Sequence, residues 1–162
     1  MSLIENTRKI LQTLLRILSN EEALRTLKER FEVKEGIRRC LEDIISYLNY
    51  AYTLLEEGFA RESNIDSVRR VINECIEKCV DLGNKMCSMN TETLISELKH
   101  LYKYMASELT SIESHLEKLK GETIASDMKK FNIADKAVQQ LRKAKDDLKR
   151  EISRIIRKKS SW

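Results

Sequence analysis

The chain has 162 residues, enough for one domain with an apolar core that needs neither disulfides nor a metal. Charged residues make up 35%, aromatics 6%, with four glycines and no proline. That is the composition of long helices, and it leaves little of the Gly-rich and aromatic loop from which small-substrate clefts are usually built. The net charge of +4 is unevenly laid: residues 128–162 hold twelve Lys and Arg against four Asp and Glu, a net of +8, while the other 127 residues sum to −4.

A first helix is predicted over residues 3–18, with Leu3, Ile4, Ile10, Leu11, Leu14, Leu15, Ile17 and Leu18 on one apolar face. The face is wide, which predicts burial between two neighbours. Arg8, Lys9 and Arg16 lie inside this pattern, unlike the apolar stretch of a secretory leader, and Arg16, Arg25, Arg38 and Asn49 interrupt every run that approaches membrane-span length. The expectation is an intracellular, cytoplasmic chain. Its four cysteines are too sparse for a disulfide scaffold and are expected to be reduced.

Ser19 and Asn20, followed by Glu21 and Glu22, mark the start of a second helix over 20–57. Leu24, Leu27 and Phe31 are out of phase with the heptad Ile37, Leu41, Ile44, Leu48, Ala51 and Leu55, so a kink or break is expected near Gly36. Gly58 reads as a C-terminal cap, and Ser63 with Asp66 as a capping box. The third helix, 66–89, carries Ile65, Val68, Ile72, Cys75, Cys79, Leu82, Met86 and Met89 on one seam. Cys75 and Cys79, four residues apart, could give two thiolates to a metal with Cys40 or Cys87. At seam positions they act instead as small core hydrophobes, and no metal or cofactor is predicted.

Asn90 and Thr91 open a fourth helix over 91–120, with Ile95, Leu98, Tyr102, Met105, Leu109, Ile112, Leu116 and Leu119 as its seam and Gly121 as its end. Glu97 and His100 form half of a di-metal E-x-x-H pair; the second half is missing, because His115 has no glutamate three residues before it. Both are expected to face solvent. Tyr50 and Tyr104, the latter near Lys99, His100 and Lys103, are expected to project outward; such a group is more often an ordinary snorkelling surface than a second contact patch.

The fifth helix spans 122–159, with Asn132 and Asp135 as an alternative start. Ala134, Val138, Leu141, Leu148, Ile152 and Ile155 form its stripe, which Lys145 interrupts. Lys129, Lys136, Lys143, Arg150 and Arg157 recur every seven residues and so share one face, flanked by Arg142 and Lys149. These seven residues are the candidate contacts for an anion, with nucleic acid ahead of an anionic membrane surface. Trp162, the sole tryptophan, follows this basic run.

The whole pattern predicts an all-α fold: an elongated antiparallel bundle of about four long helices with a short N-terminal helix, packed like a coiled coil and forming a single domain over 1–162. No nucleophile elbow, phosphate-binding loop or dinucleotide fingerprint occurs, and no catalytic residue is assigned. The expected function is a non-enzymatic interaction or structural protein that binds a protein partner or pairs as a dimer. Nucleic-acid binding through the basic helix 128–159 is the alternative.

Overall fold

The computed structural model describes residues 2–123 and 127–160, and the described residues contain no strand. The helices are α1 (Leu3–Ser19), α2 (Glu21–Phe59), α3 (Asp66–Lys85), α4 (Thr91–Thr123) and α5 (Met128–Ser160), with short 3-10 turns at Ser63–Ile65 and Met86–Ser88. None of them is long and apolar enough to cross a membrane. Two compact units are distinguished, residues up to Glu35 and residues from Gly36 onward.

The second unit is an all-antiparallel set of four helices. Its neighbours are fixed by contacts between elements: Leu41 of α2 reaches the space beside Gly83 of α3, Tyr104 of α4 bonds Glu74 of α3, Lys120 of α4 pairs with Asp135 of α5, and Cys40 of α2 meets Asp147 of α5. Each helix thus lies between two others, and the last closes on the first. The seams follow the heptads. Ile37, Leu41, Ile44, Leu48, Ala51 and Leu55 of α2 are all buried, as are Val68, Ile72, Cys75, Cys79 and Leu82 of α3. On α4, Leu98, Met105, Leu109, Ile112, Leu116 and Leu119 are buried, and Tyr102 is half-buried.

Burying each such aliphatic side chain stabilises the fold by about 1.5–3 kcal/mol, which is what holds helices of otherwise modest propensity in place. On α5, Ala134, Ala137 and Ala144 are buried with Val138, Leu141, Leu148, Ile152 and Ile155. Small side chains at a contact permit closer helix axes, and the most extensive backbone approach is between α4 and α5. Both helices have 33 residues and are therefore about 50 Å long.

Side-chain caps set four helix starts, the first by Ser2 Oγ, which accepts the Glu5 N–H at 3.2 Å. Asn20 Oδ1 accepts the Glu22 N–H at 3.1 Å, Asn90 Oδ1 accepts the Thr93 N–H at 2.8 Å, and Asp127 Oδ1 accepts the Lys129 and Lys130 N–H groups at 3.1 and 3.3 Å. The α5 start is therefore Asp127, and Asn132 lies inside the helix. At the head of α3 the N-cap is Ile65, without a side-chain cap, and Asp66 pairs with Arg69; the Ser63 side chain of the expected box lies outside the described residues. The helix does not break at Gly36, because α2 is helical throughout. Gly58 and Gly121 are helical too, and no glycine has positive φ.

The first unit contains α1 and the start of α2. Val33, next to the boundary, is buried, but the large apolar side chains from Leu3 to Phe31 whose burial is described are not: Leu3 is 82% exposed, Phe31 69%, and even the least exposed of them, Leu24, 45%. The expected burial of α1 between two neighbours is absent. The Ile17 side chain lies outside the described residues.

Candidate interaction surfaces

The seven basic candidates of α5 divide into two groups. Lys129, Lys136, Lys143, Lys149, Arg150 and Arg157 are exposed, so the seven-residue spacing does place its five members on one solvent-facing side. Two of these are also engaged locally: Lys143 Nζ sits 5.9 Å from the Tyr47 ring centroid, and Arg150 Nη2 lies 3.2 Å from Asp147 Oδ1. Arg142 belongs elsewhere. Its Nη2 is 3.5 Å from Glu117 Oε1 and its Nε 3.8 Å from Glu113 Oε2, which turns it toward α4. Trp162 lies outside the described residues.

Lys145 explains the interruption in the α5 stripe. Its Nζ donates to Thr110 Oγ1 at 2.9 Å and approaches Glu113 Oε1 at 2.8 Å, as a charge contact rather than an aligned hydrogen bond. Glu113 is the buried carboxylate of α4, only 7% exposed. An unpaired charge there would carry a large desolvation cost, which the Lys145 ammonium, with the more distant Arg142 guanidinium, offsets. Sequence periodicity showed that Lys145 broke the stripe. It gave no partner, because Glu113 itself sits beside a seam position.

Between α2 and α5 lies a groove of about 270 Å³ lined by Gly36, Arg39, Cys40, Asp43, Asp147, Arg150, Glu151 and Arg154. Three guanidinium groups face three carboxylates, so the groove has no net preference for an anion. The Cys40 thiol donates to the Asp147 carbonyl oxygen at 3.6 Å. Burial first, then the Glu151, Asp147 and Asp43 charges, push it up to about 12. A thiol held protonated in this way is a poor nucleophile and a poor metal ligand.

Cys75 and Cys79 are fully buried, and burial raises both to about 12. Cys87 is exposed. Among the described residues no cluster of three or more His, Cys, Asp or Glu has an arrangement that could hold a metal. Glu97 and His100 are exposed. Tyr50 projects as expected, 47% exposed. Tyr104 does not: it donates to Glu74 Oε2 at 2.9 Å and lies under Lys78 Nζ at 4.7 Å, so it is part of the α3–α4 seam. Burial and that bond raise its phenol above the usual range.

The largest surface left without a structural role is the apolar face of the first unit. Leu3, Ile4, Ile10, Leu11, Leu14, Leu15 and Leu18 of α1, with Leu24, Leu27 and Phe31 of α2, are all at least 45% exposed. Elsewhere among the described residues the exposed large hydrophobic side chains are Tyr50 on α2, Val80 on α3, and Met128 and Ile156 at opposite ends of α5. Single residues of that kind are normal on a protein surface, whereas seven on one helix and three on the stripe of the next are a concentration that marks an interaction site. No protein-family model, curated protein or solved structure matches this chain.

Proposed function

We propose that the chain is a non-catalytic interaction protein that docks through the apolar face of residues 3–31. The observation that carries this reading is the contrast between two parts of one molecule. Residues from Gly36 onward put their heptad positions inside, while ten large apolar side chains before Glu35 face solvent. Water contact over a surface of that kind is unfavourable by about 25 cal/mol per Å², so an occupant stabilises it. No disulfide links the four cysteines, which suits a reducing, cytoplasmic compartment.

Chemical cross-linking of the full chain in its native extract tests this. Lys9, Lys28 and Lys34 fall in or beside the docking segment. They should cross-link to another polypeptide, whether foreign or a further copy. Cross-links confined to lysines of the same chain would remove the reading.

The α5 ribbon supports a second reading, nucleic-acid binding, because its five seven-spaced cations are exposed along one side. Asp146 is exposed on the same helix, and Arg142 is held in ion pairs, so the charge is diluted. Reversing Lys136, Lys143 and Arg150 to Glu should weaken binding to duplex DNA or RNA and lower the salt slope by roughly 2 to 3 units. An unchanged slope would dismiss the ribbon.

A further inference from the structure

The width of the α1 face says how many neighbours it takes. Ile4, Leu11 and Leu18 share one heptad position, Leu3 and Ile10 a second, Leu14 a third and Leu15 a fourth. Two positions suffice for the seam of a two-stranded coiled coil, and four adjacent ones fit contact with two helices at once. The stripe of Leu24, Leu27 and Phe31 on α2 has the narrower three-and-four spacing that faces one neighbour. A second copy of the same segment offers both kinds of surface, its own α1 and its own α2 stripe.

Area and charge agree with this occupant. The ten residues expose on the order of 1,000 Å² in each copy, against the roughly 800 Å² that each partner contributes to a standard stable interface. Residues 3–35 carry seven Lys and Arg and six Asp and Glu. A near-neutral segment of mixed sign does not repel its own copy. It also lacks the basic excess that draws an amphipathic helix to anionic lipid, since Glu21, Glu22, Glu29 and Glu32 accompany the α2 stripe. Nothing else on the described surface of this chain is apolar over a comparable area.

We propose that the apolar face of residues 3–31 is covered by the same face of a second copy, giving a twofold dimer in which each α1 rests on the α1 and the α2 stripe of the other chain. The proposal rests on the docking reading above and names its occupant. Sedimentation equilibrium of the full chain from about 1 to about 100 µM, a span that brackets micromolar association, reads it directly. The wild type should reach the mass of two copies. Leu11→Lys with Leu15→Lys, both at exposed positions, should weaken association by at least about 100-fold, as expected for charges placed at an interface centre. Far-UV circular dichroism should show the same helix content, so that loss of the dimer is not loss of the fold. Val80→Lys, on α3, should leave the dimer intact.

A wild type that stays a single copy throughout, or a dimer that survives both lysines, overturns the proposal. Binding to phosphatidylcholine–phosphatidylserine vesicles by a single-copy wild type, lost in the double variant, would give the face to a bilayer instead. That result would overturn the second copy and leave the docking reading standing. The docking reading has its own test in the cross-links of Lys9, Lys28 and Lys34.

Discussion

Cys79 illustrates how a single side chain carries two readings that only packing separates. In sequence, its four-residue spacing from Cys75 suits a metal pair; in the fold both thiols are fully buried on the inward side of α3. The thiols of Cys40, Cys75 and Cys79 are raised from 9.0 to about 12, chiefly by burial. Their effect on stability has a definite sign. In the unfolded chain they ionise as pH passes 9.0, while in the folded chain they stay protonated to about 12, so the folded state then binds more protons. Stability is unaffected below 9.0 and falls above it, by about 1.4 kcal/mol per pH unit for each thiol fully ionised in the unfolded state. Urea midpoints measured across the unit of pH above 9.0 should decline, and a Cys75→Ala, Cys79→Ala variant should decline less steeply. Lys145 carries the same lesson with opposite polarity: a charge that looked like a fault in a stripe is the partner of a buried carboxylate.

At the scale of elements, starts were more legible than ends. A cap acts through one side chain on N–H groups two or three residues ahead, so Asn20 and Asn90 could be read locally. Glycine is ambiguous because the same lack of a Cβ serves two purposes. Gly58 reads as a helix stop, but in α2 it yields room to α5: a Cβ there would meet Ile133 Cδ1 and Cγ2 at 2.9 Å. Ile133 is β-branched and stiff, so Gly58→Ala should destabilise the fold by about 1–2 kcal/mol despite its better helix propensity. At Gly36 the added Cβ would meet the tip of Arg154, Nη2 at 2.6 Å, which can swing aside. Gly36→Ala should therefore be neutral or stabilising by up to about 1 kcal/mol. Urea denaturation of both variants checks the contrast, and a reversed order would contradict the packing of α2 on α5.

For the whole molecule, the heptads made the four-helix unit legible because its apolar positions and its burial coincide. Ile37 to Leu55 and Val68 to Leu82 were read as seams, and they are seams. The first 35 residues show where that reasoning stops. Periodicity states that a face is apolar and how wide it is, but the identity of what covers it is a property of concentration and partners. The basic ribbon has the same limit: spacing placed its charges on one side, and Arg142 was lost from it only because Glu113 and Glu117 lie within reach across α4.

The closure of α5 onto α2 has one more consequence. Gly36, where the unit begins, lies against Arg154 near its close, and Gly58 lies against Ile133 at the opposite end. Entry and exit of the unit are therefore adjacent, and its four seams form a cycle with no privileged first member. A chain spliced from the end of α5 to the start of the α2 heptads, and opened instead at Met89–Asn90, would keep every neighbouring pair. The order in which the helices are written along the polypeptide is then separable from the order in which they stand.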